Sequence, residues 1–141
     1  MFIYGVYRID MKNQVSNLAN IAPVTLWSGK ENTPGTVITL SDNITKYKYV
    51  DIYINMSGNL LVQTFEVATN YYDAKGFNIS NNTTNIGLSV AEMRIDRTTE
   101  TTLTLNASSW VLWDWSGKAN EAATKANVGN SLYVYKIVGR H

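Results

Sequence analysis

The sequence predicts an all-β protein, an antiparallel β-sandwich of jelly-roll-like type, and three observations carry that expectation. Apolar and polar residues alternate with period two in several short runs, clearest where Val50, Ile52 and Ile54 face one way and Tyr49, Asp51 and Tyr53 the other. Neutral polar and aromatic residues fill the chain: 16 Asn, 15 Thr, 10 Ser, nine Tyr and four Trp in 141 residues. Thr, Tyr and Trp favour strands, whereas Asn, Ser and Gly favour turns. Turn-forming clusters separate the runs, at Asn32-Thr33-Pro34-Gly35, Ser41-Asp42-Asn43, Ser57-Gly58-Asn59, Asp73-Ala74-Lys75-Gly76 and Asn81–Asn85.

Taken in order, Val24–Trp27 reads as a short strand closed by Ser28-Gly29. Thr36–Leu40 sends Ile38 and Leu40 inward and Val37 and Thr39 outward. Tyr47–Ile54 is the strongest strand, with its Tyr/Asp set on a partly wetted face. Leu60–Val67 is apolar on both faces, which predicts cover on both sides. Ile86, Leu88 and Val90 share a face that Met93 and Ile95 do not, so a β-bulge is expected between them. Thr101–Leu105 points Leu103 and Leu105 inward. Lys118–Asn127, bracketed by Gly117 and Gly129, reads equally as a helical turn or a loop. Leu132–Val138 reads as a central strand, with Tyr133, Tyr135 and Ile137 on one side and Leu132 and Val134 on the other.

Two units are expected: an N-terminal arm or strand over residues 1–21 and a sandwich over residues 22–141. The arm is apolar on both faces, through Phe2, Tyr4 and Val6 and through Ile3, Tyr7 and Ile9. It reads either as an oligomer or stalk contact or as an added edge strand.

Charge and composition remove several function classes. Twelve Lys+Arg against eleven Asp+Glu leave a net charge of +1, too little basic surplus to hold a phosphate backbone, so no nucleic acid is expected. Nothing approaches the ~20 apolar residues of a membrane span, so no membrane insertion is expected. The chain has no cysteine, and its one histidine is His141. Thiolate and histidine metal sites and Ser-His-Asp triads are therefore not expected, and neither is a cofactor. Met1-Phe2-Ile3-Tyr4 lacks the cationic start and apolar run of a signal peptide.

Leu26-Trp27-Ser28-Gly29, then Gly35–Asp42 (GTVITLSD), then Tyr47–Tyr53 (YKYVDIY), resemble a pattern found in tailed bacteriophages. There a "W-x-G", a "T-I-T-L-S-D" strand and a "Y-K-Y-I" strand open the C-terminal domain of tail-fibre, baseplate or minor structural proteins, as in phages of Gram-positive bacteria. The closing Leu132–Arg140 is similar to the "I-x-K-I-x-G" strand that ends them. The likeness covers residues 24–54 and 132–140; residues 55–131 carry none. It implies a protein made in the bacterial host cytoplasm and placed in the virion tail. Its partners would be other virion tail proteins, copies of itself in a homotrimer, and a host cell-wall or surface polysaccharide.

The densest aromatic cluster is Trp110-Val111-Leu112-Trp113-Asp114-Trp115. An indole face stacks on the C–H face of a sugar ring, and a neighbouring carboxylate accepts hydroxyl protons. Trp113, Asp114 and Trp115 are therefore candidate saccharide ligands, with Tyr72 and Asp73 as a second aromatic-acidic pair lining the same groove. The alternative is that the tryptophans anchor a core or a subunit interface. Glycoside hydrolysis needs two carboxylates about 5–10 Å apart. No motif marks such a pair, so no catalytic residue is assigned and an enzyme is not expected. The alternatives are a structural connector of the virion and a polysaccharide-binding module or part of a depolymerase.

Overall fold

A computed structural model describes residues 11–18, 21–81, 86–114, 124–126 and 132–141, with backbone alone at 78–81, 86–89, 107–114 and 124–126. Nine strands lie among the described residues: β1 (Val24–Glu31), β2 (Val37–Thr39), β3 (Tyr49–Met56), β4 (Asn59–Glu66), β5 (Tyr71–Asn81), β6 (Ile86–Arg97), β7 (Thr102–Asp114), β8 (Thr124–Ala126) and β9 (Leu132–Arg140). They form two antiparallel sheets, with order β1-β9-β3-β4 in sheet A and β2-β7-β6-β5 in sheet B, where β8 also pairs with β7. The chain is thus an all-β sandwich, as the alternation predicts.

The core lies between the inner faces. Sheet A contributes Leu26, Val50, Ile52, Ile54, Met56, Leu132, Val134 and Ile137, and sheet B meets them with Ile38, Tyr72, Ala74, Ala91, Met93, Ile95, Leu103 and Leu105. The inward sets expected of Tyr47–Ile54, Thr36–Leu40 and Thr101–Leu105 are all buried. Between β3 and β4 the two loop residues, Ser57 and Gly58, both have positive φ. This is the backbone of a type I′ hairpin, whose twist matches the strands it joins. Asn55 supports it by accepting a bond from the Gly58 amide at 3.1 Å.

Three expectations are corrected. β4 is an edge strand with no cover on its outer face, so Leu60 is 65% and Val62 52% exposed. β6 pairs with β5 without a break, so no bulge separates Val90 from Met93. Val90 simply points outward, and the bulge lies instead on β7, where Asn106 is the extra residue opposite Arg94 and Ile95. β9 is central as expected, yet it is not a regular alternation. Tyr135 is an extra residue against Tyr53 and Ile54, and this turns Ile137 into the core while Tyr133 and Tyr135 stay half-exposed. Within Lys118–Asn127, residues 124–126 are the strand β8; the other residues lie outside the description.

The segments that carry the phage resemblance meet at one corner. The Ser41 amide donates to the Leu26 carbonyl, and the Lys48 amide to the Arg140 carbonyl. The Tyr47 ring covers Gly139 so closely that a Cβ built there would stand 2.6–2.7 Å from three ring atoms. The Tyr47 hydroxyl donates to Asp42 at 3.1 Å, and Lys46 and the Asn43 amide also donate to that carboxylate. These donors, Lys46 foremost, hold Asp42 below the usual carboxylate range. Trp27 lies against Gly29 and packs on the core.

Residues 11–18 form a helix rather than extended chain, which corrects the edge-strand reading for that part of the arm; residues 1–10 lie outside the description. Its Met11, Val15 and Leu18 are all exposed. At the open side of the sandwich, β4 of sheet A faces β5 of sheet B. There the Gln63 carboxamide spans the gap: its Oε1 accepts from the Lys75 amide at 2.8 Å and its Nε2 donates to the Lys75 carbonyl.

Candidate functional site

Of the saccharide ligands expected from sequence, Tyr72 is closed to a ligand. Tyr72 is fully buried, with its ring 5.6 Å from that of Phe65, so it is a core residue and not a stacking platform. Its position on β5 alternates inward with Ala74, which is the physical reason. Asp73, its neighbour, lies on the opposite face and is half-buried, opposite Arg94. Trp113 and Asp114 are backbone-described residues of β7 opposite Leu88 and Gly87, and Trp115 lies outside the described residues. Arg94 is opposite Ala107, so the register sets Asp73 about 20 Å along the strands from Trp113 and Asp114.

The Tyr72 hydroxyl has no hydrogen-bond partner among the described residues, and burial pushes its pKa up. An unsatisfied buried hydroxyl costs stability, about 1–3 kcal/mol. Tyr72→Phe is therefore expected to leave the denaturant midpoint unchanged or raise it, by up to about 1 kcal/mol of stability. A clear loss of stability would mean that the hydroxyl has a partner after all.

On the outer face of sheet B, Arg94 stacks over the Tyr71 ring at 4.5 Å and donates to Asp96 at 2.9 Å. Asn106, the bulge residue, donates to the other Asp96 oxygen at 2.6 Å. These two donors, Arg94 first, lower the Asp96 pKa. This cluster is internally paired and offers little to a ligand.

The outer face of sheet A is different. The alternation that buries Val50, Ile52 and Ile54 turns Tyr49 and Tyr53 outward, and the β9 bulge keeps Tyr133 and Tyr135 beside them. Tyr53 and Tyr135 meet edge to face with centroids 5.8 Å apart. Burial, then the neighbouring Tyr53 and Tyr133, push the Tyr135 hydroxyl up, as expected of hydroxyls gathered in one place. Lys30 stands 4.6 Å over the Tyr133 ring, and Lys136 stands 5.3 Å from that of Tyr53. Toward one end of the face, Arg140 Nε lies 2.9 Å from Asp51 Oδ2, and Thr64 donates to Asp51 Oδ1 at 2.7 Å. The result is a half-exposed aromatic surface edged by donors that have room to reach a ligand.

Residue patterning predicts half of this face. Tyr49, Asp51 and Tyr53 are expected on a wetted side, but a strict alternation pairs Tyr133 and Tyr135 with Ile137 and hides the separation that the bulge creates. The alternate spacing Tyr49-x-Asp51-x-Tyr53 together with Tyr133-x-Tyr135 was the available signal.

A groove of about 560 Å³ also opens between β4 and β5, lined by Leu60, Leu61, Val62, Gln63, Lys75 and Phe77 among others. Among the described residues that line it there is no carboxylate.

These elements define an all-β sandwich with a tyrosine-rich outer sheet face bordered by lysines. No protein-family model matches the sequence, and no curated protein matches it.

Proposed function

We propose that the chain is a non-enzymatic tail or baseplate protein of a tailed-phage virion, and that it binds a host cell-surface carbohydrate during adsorption. The observation that carries the binding role is the gathering of Tyr53, Tyr133 and Tyr135 on one half-exposed face, with Lys30 and Lys136 at its margin. Aromatic rings with a polar tip suit sugars, which present apolar C–H faces and hydroxyls together. The virion role rests on the likeness of residues 24–54 and 132–140 to phage tail proteins. Other virion proteins and copies of the chain itself are the proposed protein partners.

Homotrimer formation belongs to the same proposal. Met11, Val15 and Leu18 are spaced by four and three residues and form an exposed stripe, the spacing of helices that pack on one another. A helix this short is marginal alone. Joining several weak faces raises avidity without any new contact.

An array of bacterial surface polysaccharides tests the binding role. The parent is expected to bind a subset of them, and Tyr53→Ala combined with Tyr135→Ala is expected to weaken that binding about tenfold or more. This corresponds to roughly 1.4 kcal/mol. A parent that binds no member, or a double variant that binds as the parent does, would sink the assignment.

A further inference from the structure

We infer that the carbohydrate taken by the sheet A face is anionic, bearing phosphate or carboxylate groups, and that Lys30 and Lys136 receive those groups. This rests on the carbohydrate-binding reading above and narrows it. The two ammonium groups flank the tyrosines from β1 and β9, and neither is paired with a carboxylate among the described residues. Lys48 adds a third ammonium group beside these tyrosines, 5.1 Å from the Tyr49 ring, whereas several other cations are tied to carboxylates. Lys46 is paired with Asp42, Arg94 with Asp96, and Arg140 with Asp51. In a chain with nearly equal numbers of cations and anions, a strip where Asp51 is already held by Arg140 and Thr64, and where Lys30 and Lys136 have no carboxylate partner among the described residues, is a local excess of positive charge.

The geometry also separates the two kinds of contact. Each lysine lies above or beside a tyrosine ring, at 4.6 Å for Lys30 on Tyr133 and 5.3 Å for Lys136 on Tyr53. A sugar ring stacking on Tyr133 or Tyr53 would displace the flexible lysine from the ring face and so bring its ammonium group to the sugar's edge. The strip crosses β1, β9 and β3, which at the usual strand spacing is about 10 Å. Lysine suits this role because its charge is compact and its stem flexible, so it follows a charged group on a mobile polymer. Both lysines reach solvent, and replacing them does not touch the core.

The experiment uses the full chain on an array holding three sets of polysaccharide: phosphate-bearing, carboxylate-bearing and neutral. The parent is expected to bind charged members, with affinity falling as salt rises. Lys30→Gln with Lys136→Gln is expected to lose about tenfold on those members, two charge contacts of ordinary surface strength. Its thermal unfolding should match the parent's. Binding confined to the phosphate set, to the carboxylate set, or shared by both supports the inference and identifies the source of the charge. Binding confined to neutral members overturns it while the carbohydrate role stands, and so does a double variant that binds charged members as the parent does. Absence of binding to all three sets overturns the carbohydrate role as well.

Discussion

Gly139→Ala is expected to destabilise the sandwich by about 2 kcal/mol, within the range for overpacking a filled site. In a domain of this size that is roughly 6 °C in Tm. The added methyl would meet the face of the Tyr47 ring at 2.6–2.7 Å. Neither side has an easy way to yield. Gly139 belongs to β9 and is opposite Val24 on one side and Val50 on the other, so its backbone is held by two ladders. Tyr47 is buried, and its hydroxyl is tied to Asp42. Gly76 gives the contrast, because the nearest atom to its Cβ position is the end of the flexible Leu61 side chain. A double-mutant cycle locates the clash: Gly139→Ala joined to Tyr47→Ala should cost less than the two singles summed. Additive costs would mean that the Tyr47 ring is not what excludes the methyl.

Ile52→Ala is expected to cost more, about 2–5 kcal/mol, measured by denaturant unfolding. Ile52 has no solvent exposure and sits in β3, flanked by Gln63 of β4 and Ile137 of β9. Strands on both sides prevent collapse around the missing atoms, so a cavity term adds to the lost burial. The same truncation at Leu60, 65% exposed on the bare face of β4, is expected to change stability by no more than about 0.5 kcal/mol. Equal losses at the two positions would contradict the placement of the core.

The fold was legible wherever alternation ran unbroken. Val50, Ile52, Ile54, Ile38, Leu103 and Leu105 needed only the period-two rule. What escaped were features that depend on a neighbour. Whether Leu60 and Val62 are covered depends on β4 being an edge, which its own sequence does not state. Where a bulge falls is decided by the register of the partner strand, so Met93 and Val90 pointed to the wrong place for it and Tyr133 and Tyr135 were separated from Ile137 without warning. Tyr72 was misjudged because an aromatic-acidic pair reads alike at a loop tip and within a strand; here it lies inside β5. Among the residues that carry the resemblance, Trp27 was expected in the core, and it packs there; Asp42, Tyr47 and Gly139 brace the neighbouring corner, a role their own sequence does not state.

The Gln63 bridge has a consequence for crowding. An outermost strand with free amides and carbonyls invites a second molecule to extend the sheet. By lending its carboxamide to both backbone groups of Lys75, Gln63 acts as a one-residue stand-in for that intruder. A strand approaching β5 therefore meets occupied hydrogen-bonding groups at Lys75, which disfavours sheet extension at that point of the edge.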